Sequence, residues 1–381
     1  MPSIVVVGGG FAGLNAALAA VRAGNGKVDV SLVSREPWLT IRPRLYEAQP
    51  EGLRVDLRVP LSKVGARYIE GEAIELVDGA LRLGSGVRVA YDRVVVATGS
   101  IMKRPPIPGA DCTHSIDDWA AAMAFDASLA SVSALRPPRV VVVGAGFTGI
   151  ELALELRDRI EFHAGYDAAN RAEIFLVDAA TCIGPELGSA PRPVIERALT
   201  DARVDIRLGK AASEIASNKV SFGDGENIAC DIVVLCTGPV AAPFISTIAG
   251  EKDAFGRLKV DAFLRAKACP EVYAAGDACV ASPEPGRETL MSCQHALTLG
   301  KFAGENASRD LLGDPLLEYS QPRYVTCLAM GRSGALFSEG WDRVPKLVGE
   351  QAKAIKTEIN TRRIYPPDGD RQEILDAVRI V

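Results

Sequence analysis

The chain has 381 residues, of which 48% are hydrophobic and 24% charged, and its formal net charge is −5. This length suffices for two or three domains with full cores, and the composition is that of an ordinary globular protein. The negative charge balance argues against a nucleic-acid partner. No run of 18 apolar residues occurs in the sequence, so a membrane-spanning helix is not expected.

The N-terminal sequence and the cysteines predict an intracellular protein. The first predicted strand begins at Ser3 or Ile4, which leaves no room for a signal or transit peptide. The eight cysteines include no C-x-x-C pair, as is typical of a reducing compartment. We therefore expect a cytoplasmic protein without a metal site, and peripheral attachment to the inner face of a membrane is the alternative.

A glycine-rich sequence occurs twice, each time directly after a run of β-branched residues. The first copy, Gly8-Gly9-Gly10-Phe11-Ala12-Gly13, follows Ile4–Val7, and the second, Gly144-Ala145-Gly146-Phe147-Thr148-Gly149, follows Val140–Val143. A buried parallel strand that turns sharply into a helix aims backbone N–H groups at one spot, which suits a pyrophosphate. Two copies in one chain therefore predict two dinucleotide sites in an α/β fold.

The other elements follow in chain order. The first copy opens a helix predicted over 12–23, which Gly24-Asn25-Gly26 ends, and 28–33 is the next parallel strand. The proline-rich residues 101–109 are predicted to be a linker, and 136–139 mark the entry to the second unit. The first unit resumes near Gly256 and ends with a helix over 294–312, after which a strand over 324–330 opens a third module.

Three more motifs carry a family resemblance. Val94–Ser100 and Ile232–Pro239 each end a strand in a Thr-Gly turn, and Val272–Asp277 ends in Gly-Asp. With the two glycine motifs, these segments resemble the two-dinucleotide-binding-domain flavoproteins, the superfamily of the pyridine nucleotide–disulphide oxidoreductases. The resemblance runs from Ser3 to about Leu312.

The resemblance implies an α/β fold with two Rossmann-like domains and a small C-terminal α+β module. An FAD domain over 1–110 and 256–318 would be interrupted by an NAD(P)H domain over 111–255, and the module would cover 319–381. The implied activity is that of an FAD-dependent NADH oxidoreductase with non-covalent FAD.

The resemblance also implies cofactor contacts, residue by residue. For FAD these are Gly8, Gly10, Phe11, Ala12, Gly13, Ser34, Arg35, Arg42, Ala97, Thr98, Gly99, Gly276 and Asp277. Asp277 would bind the ribityl chain, and Arg35 or Arg42 would lie along the adenosine. For NADH they are Gly144, Gly146, Phe147, Thr148, Gly149, Glu151, Asp178, Thr237 and Gly238. Gln294, His295 and Ala296 would lie against the flavin.

Two ribose-reading positions differ in charge. Asp178 ends the second strand of the NAD domain, where a carboxylate would accept both ribose hydroxyls and repel the extra phosphate of NADPH. Charged hydrogen bonds of about 1.5–3 kcal/mol predict a preference for NADH of about tenfold to a hundredfold. The matching residue of the FAD domain is Ser34, which can still bind a hydroxyl.

Thiol chemistry is not expected. The segment 38–48, where a redox cysteine pair would be placed, contains no cysteine. Pro43-Arg44-Leu45-Tyr46, Gly149–Ala153 and Cys293–Ala296 are instead similar to motifs of the type II NADH dehydrogenases. That resemblance implies that Glu151 relays a proton near the flavin–nicotinamide junction. The alternative is that Glu151 binds backbone N–H groups in the first turn of its helix.

Gln294 matches the first glutamine of the quinone-site helix of that family, which makes it a candidate catalytic residue. The position of the second glutamine is Thr298 here. A helix start packed against the flavin explains Gln294 and Ala296 equally well. His295 and Cys293 are predicted to be packed rather than catalytic.

The C-terminal module is predicted to contain a helix over 343–361 and an irregular tail from Ile364. Val344, Leu347, Val348, Ile355 and Ile359 would fall near one face of this helix, with basic residues elsewhere. Packing on the core is favoured over docking on an anionic membrane, and a homodimer interface is a third use.

Three electron acceptors remain open. The leading hypothesis is a quinone or a quinone-like small molecule. The second is a ferredoxin or rubredoxin, and the third is no dedicated acceptor, as in an NADH-binding flavoprotein resembling apoptosis-inducing factor.

Overall fold

The structure, a computed structural model, describes residues 1–380. The first sheet has six strands. The buried strand that precedes the first glycine motif lies in the interior of this sheet. In sheet order the strands are Arg265–Ala266, Cys269–Ala274, Arg93–Val96, Ser3–Val7, Asp29–Ser34 and Arg67–Glu70. All of these pairs are parallel except the first. The sheet therefore combines strands from residues 3–96 with strands from residues 265–274, and a long segment of the sequence separates these two parts.

That intervening segment builds a second sheet of five parallel strands. In sheet order they are His114–Ser115, Ile232–Leu235, Arg139–Val143, Glu173–Asp178 and Val204–Leu208. Valine and isoleucine dominate both central strands because parallel strands are covered on both faces. The α/β fold class predicted from the sequence is confirmed.

In the described part of the chain, eight α-helices connect and cover the strands. In chain order, α1 to α8 are Phe11–Gly24, Arg58–Val64, Trp119–Leu135, Phe147–Arg171, Arg192–Asp201, Cys293–Leu312, Glu350–Glu358 and Arg371–Ala377. The helices α1 and α6 cross at very short range, since a Cβ atom on Gly300 would lie 2.3 Å from the Ala12 carbonyl oxygen. Within residues 1–380, no helix is both long and apolar enough to cross a bilayer.

Small antiparallel sheets complete the two units. They are formed by Trp38–Thr40 with Arg54–Asp56, by Ala73–Val77 with Ala80–Leu83 and Arg88–Ala90, by Ala212–Ala216 with Lys219–Phe222 and Asn227–Ala229, and by Ser100–Met102 with Pro239–Ala241. Leu258–Lys259 and Cys279–Val280 form a short parallel pair. The pairing of Ser100–Met102 corrects the predicted linker, whose first residues belong to a strand that joins the two units.

The C-terminal module begins with a three-stranded antiparallel sheet, Val325–Ala329, Ala335–Glu339 and Val344–Gly349. The helix predicted over 343–361 is therefore wrong in its first part. Pro345 lacks the N–H donor that a helix interior needs, and it is tolerated here on the edge strand of the sheet. The helix begins only at Glu350 and ends in a π-helical turn at Ile359–Arg363.

Two further expectations for this module are corrected. The predicted apolar helix face does not exist, because Val344 and Val348 lie exposed on the edge strand, while Ile355 lies on α7. The tail is not irregular throughout either, since α8 follows it. Asp370 and Glu373 form a reciprocal capping box at the start of that helix.

Candidate active site

The first glycine motif leaves an open loop at the start of α1. Gly8 has φ +115, and a Cβ atom there would lie 2.2 Å from the Ala97 carbonyl oxygen. A Cβ atom on Gly13 would lie 1.8 Å from the Gly8 carbonyl oxygen, whereas one on Gly10 would meet no atom within 4 Å. Gly8 and Gly13 are thus required for the close strand–turn–helix packing, and Gly10 faces free space, which fits a phosphate ligand.

The second motif repeats this geometry with different neighbours. Gly144 has φ +114, and its Cβ would lie 2.1 Å from the Cys236 carbonyl oxygen, while a Cβ atom on Gly149 would lie 1.8 Å from the Gly144 carbonyl oxygen. Thr148 is exposed in the first turn of α4. The loop differs from the first in one respect, because Glu186 Oε1 accepts a hydrogen bond of 2.9 Å from the Phe147 N–H.

Asp277 lies in a partly buried polar cluster with Ser100 and Arg42. Its Oδ2 accepts a hydrogen bond of 2.6 Å from Ser100 Oγ. Burial raises the pKa of Asp277, and the charge of Arg42 and the Ser100 hydrogen bond oppose that shift. Arg42 itself donates to Ser100 Oγ at 3.2 Å and to the Asp117 backbone oxygen at 2.9 Å. Arg42 and Asp277 thus share Ser100 as a hydrogen-bond partner. The contact of Arg35 or Arg42 with the adenosine stays a prediction.

The other residues predicted to contact FAD surround the same loop. Ser34 Oγ lies 2.6 Å from the position of a Cβ atom on Gly9, and Arg35 follows it on the surface. Gly276 has φ +68, and its Cβ would lie 2.8 Å from Ala12 Cβ and 3.6 Å from Ala296 Cβ.

One buried polar atom near this loop is unsatisfied. Thr98 Oγ1, next to Ala97 and Gly99, is buried without a hydrogen-bond partner among the described residues. Together with the free space at Gly10, this orphan hydroxyl fits a polar cofactor such as FAD.

Asp178 lies beside the second loop. Its Oδ2 accepts a hydrogen bond of 2.6 Å from the Ala145 N–H, and its Oδ1 accepts one of 2.7 Å from the Ala180 N–H. Thr237 and Gly238 follow the strand Ile232–Leu235 and bind the backbone of Lys103. The Thr237 hydroxyl donates to the Lys103 carbonyl oxygen, and the Lys103 N–H donates to the Gly238 carbonyl oxygen at 2.9 Å.

Glu151 is part of a buried ion pair. Its Oε1 accepts hydrogen bonds from Lys356 Nζ at 2.7 Å and from the Ala329 N–H at 2.8 Å. Glu151 is only 4% exposed and Lys356 only 9%. Burial raises the pKa of Glu151, while Lys356 and the Ala329 hydrogen bond act in the opposite direction. The alternative that Glu151 binds N–H groups of its own helix is wrong, because its partners come from the C-terminal module.

Aromatic rings and further carboxylates surround this pair. Lys356 Nζ lies 5.5 Å from the centre of the Tyr46 ring and 5.8 Å from that of Phe147, and it also donates to the Cys327 backbone oxygen at 3.0 Å. Burial also raises the pKa of Glu155, one turn further along α4, to about 7. The site can therefore hold a proton that is shielded from water and adjacent to the second glycine motif.

Gln294 is engaged by backbone at both atoms of its amide. Its Nε2 donates to the Arg323 oxygen at 3.1 Å, and its Oε1 accepts from the Val325 N–H at 3.5 Å. The next residue, His295, stacks on Tyr324 with ring centres 5.4 Å apart. Burial lowers the pKa of His295 to about 4, so the ring is neutral near pH 7.

The cysteines do not form a redox pair among the described residues, where all eight are unpaired. Burial raises the pKa of Cys293 to about 11 and that of Cys236 to about 12. Both thiols are thus protonated near pH 7 and weakly nucleophilic.

Sequence reasoning missed Lys356 and Glu186. Lys356 is one of the basic residues predicted to lie away from the apolar face of the C-terminal helix, and its partner Glu151 lies 205 residues away in the sequence. Glu186 carries no local motif, although Gly184, Pro185 and Gly188 around it indicate a tight turn. The proximity of that turn to the second glycine loop is visible only in the structure.

The sequence is similar to a known protein family and to several known proteins. The family profile described as pyridine nucleotide-disulphide oxidoreductase matches residues 2–300. The chain is 37% identical over 391 residues to an NADH dehydrogenase-like protein of Mycobacterium tuberculosis, an alignment that covers 99% of this chain and 98% of that one. It is 24% identical over 358 residues to the demethylphylloquinone reductase of Synechocystis, covering 88% and 86% of the two chains.

Among solved structures, the sulfide:quinone oxidoreductase of Aquifex aeolicus superposes with a TM-score of 0.80. The match covers 98% of this chain and 92% of that one, at 16% sequence identity. At that identity the likeness concerns the fold alone.

Proposed function

This chain belongs to the pyridine nucleotide–disulphide oxidoreductase family, and from that premise we propose that it passes electrons from NADH to a quinone or a quinone-like small molecule. Membership of the family makes it an NAD(P)H-dependent flavoprotein oxidoreductase that uses FAD and NADH. The quinone acceptor and the roles of individual residues are the proposal.

The residues that would hold FAD are those of the first loop and its neighbours. Gly8, Gly10 and Gly13 form the turn for the pyrophosphate, and Asp277 with Ser100 would bind the ribityl chain. When bound, FAD supplies the redox chemistry by accepting two electrons from NADH and releasing them to the acceptor. The second loop, with Asp178 beside it, would hold the nicotinamide dinucleotide.

The observation that carries the proposal is the buried pair of Glu151 and Lys356. Reduction of a quinone to a quinol takes up two protons, whereas reduction of an iron–sulfur protein takes up none. A carboxylate and an ammonium group in hydrogen-bond contact, shielded from water next to Phe147, are suited to store and deliver such a proton. Tyr46 and the strand that contains Ala329 limit the access of bulk water to the pair.

We assign Gln294 a positioning role. Because both atoms of its amide bind the backbone at Arg323 and Val325, it holds the start of the first C-terminal strand against α6. That strand in turn supplies the Ala329 N–H and the Cys327 oxygen to the Glu151–Lys356 pair. Gln294 would therefore affect the proton-storing pair through the strand.

Steady-state oxidation of NADH by the FAD-loaded protein tests the acceptor. We expect rapid turnover with a soluble quinone and slow turnover with ferredoxin, with rubredoxin or without an added acceptor. Rapid turnover only with an iron–sulfur protein would contradict the proposal. Slow turnover under every condition would favour an NADH-binding protein without a dedicated acceptor.

The variant Glu151→Gln tests the proton-delivery role. We expect kcat with quinone to fall by at least about tenfold, because general acid–base catalysis contributes about 10²–10⁴-fold. Bleaching of the flavin by NADH in a single turnover should change far less. The matched control is Glu196→Gln, an exposed position on α5. A kcat for Glu151→Gln equal to that of the control would remove Glu151 from the mechanism.

A further inference from the structure

The N-terminus of α4 already carries a carboxylate from its own chain. Glu186 Oε1 accepts the Phe147 N–H at 2.9 Å, and it lies 2.8 Å from the position of a Cβ atom on Gly146. The equivalent position in the first loop is Gly10, where no atom lies within 4 Å. The two loops otherwise share the same strand–turn–helix geometry, so the carboxylate is a specific feature of the second one.

The position of this carboxylate is that of a pyrophosphate in a dinucleotide site. Backbone N–H groups at the first turn of a helix, with the positive end of the helix dipole, form the anion site of such loops. The Phe147 N–H cannot donate fully to Glu186 and to a phosphate oxygen at once, and the two anions repel each other. We propose that Glu186 is a displaceable internal anion that competes with the NADH pyrophosphate and thereby sets the affinity for the dinucleotide.

The surrounding contacts show which part must move. Two hydrogen bonds fix the backbone of the turn. The Gly184 N–H donates to the Ala145 carbonyl oxygen at 2.9 Å, and the buried Arg343 guanidinium donates to the backbone carbonyl oxygen of Glu186. Leu187 is also buried. The side chain of Glu186 is exposed apart from its contact with the loop. Displacement therefore requires rotation of one side chain toward solvent and no opening of the turn.

The competition has a consequence for both redox forms of the dinucleotide. NADH and NAD⁺ carry the same pyrophosphate, so the carboxylate weakens the binding of both. Its return to the Phe147 N–H replaces the phosphate interaction as NAD⁺ leaves. This inference rests on the NADH site of the proposed function, but it does not depend on the identity of the electron acceptor.

Calorimetric titration of the FAD-loaded protein with three non-reducing ligands tests the inference. NAD⁺ and ADP-ribose contain the pyrophosphate, and adenosine does not. For Glu186→Gln and Glu186→Ala, we expect Kd for NAD⁺ and ADP-ribose to fall about fivefold, the factor that one carboxylate at a helix N-terminus contributes. The Kd for adenosine should stay unchanged. Glu196→Gln, an exposed glutamate remote from the loop in sequence, is the matched control and should behave as wild type.

The outcomes separate this inference from the proposed function. Equal Kd values for NAD⁺ in all four proteins would overturn the role of Glu186 and leave the NADH site intact. Weaker binding by both Glu186 variants would also overturn it, because Glu186 would then be a ligand contact. A similar gain for adenosine would contradict competition at the pyrophosphate. No binding of NAD⁺ by any of the proteins would overturn the nicotinamide site and this inference together.

Discussion

Asp178 is the residue that we expect to set the preference for NADH over NADPH. Its two carboxylate oxygens accept the Ala145 and Ala180 N–H groups, which fixes the side chain beside the second glycine loop. A carboxylate fixed there would accept ribose hydroxyls and repel the 2′-phosphate of NADPH. We expect Asp178→Ala to reduce the NADH/NADPH ratio of kcat/KM at least about tenfold. Asp201→Ala, at the exposed end of α5, is the control, and an unchanged ratio in Asp178→Ala would refute the argument.

Glu155 gives a prediction for stability. Burial raises its pKa from 4.5 to about 7, and the charges of Asp158 and Glu47 add to the shift. The folded state therefore loses stability as pH rises from about 4.5 through 7, because the buried group must ionise. We expect Glu155→Gln to stabilise the protein by about 1–2 kcal/mol more at pH 8 than at pH 5. Thermal unfolding at both pH values measures this, and an equal effect at the two values would contradict it.

At the scale of residues, local motifs predicted the loops but not the side chains that meet them. Gly8, Gly13, Gly144 and Gly149 are set by backbone geometry within one strand–turn–helix unit, which the sequence encodes locally. Lys356 approaches Glu151 only because the C-terminal module folds back onto α4. That contact depends on tertiary packing, which a periodicity argument does not contain.

At the scale of elements, the crossing of α1 and α6 positions the first loop. A Cβ atom on Gly304 would lie 2.0 Å from the Ala16 carbonyl oxygen, so any side chain there forces the helices apart. We expect Gly304→Ala to lower the free energy of unfolding by about 1–3 kcal/mol and to weaken FAD retention, because α1 begins at the loop. Gly52→Ala, where a Cβ meets no atom within 4 Å, is the control. Equal stability of the two variants would contradict the packing argument.

The elements also show where sequence patterns are ambiguous. The strand predicted over 28–33 and the helix predicted over 12–23 after the first glycine loop agree with the structure to within one residue at each end. The segment from Val344 was predicted as a helix because its apolar residues fit a helical spacing. Pro345, and Gly349 with φ +77, favour the edge strand that ends at Gly349. Five-residue apolar patterns fit both periods, and the neighbouring strand Ala335–Glu339 decides between them.

At the scale of the whole molecule, the C-terminal module contacts both dinucleotide units. Its first strand binds Glu151 through Ala329, its Arg343 holds the turn of Glu186, and its Arg323 oxygen accepts from Gln294 on α6. The family resemblance ended near Leu312, so these contacts could not be derived from the sequence. They connect the proposed nucleotide site to the proposed proton-storing pair through one small module.

A rapid-mixing experiment on the FAD-loaded protein under anaerobic conditions measures the proposed transfer of electrons from NADH through the flavin to a quinone. The flavin absorbance is followed after mixing with NADH, and the reduced protein is then mixed with a soluble quinone or with oxidised ferredoxin. We predict fast bleaching by NADH, fast recovery of the flavin absorbance with the quinone, and slow recovery with ferredoxin. No bleaching by NADH, or fast recovery with ferredoxin alone, would contradict this prediction.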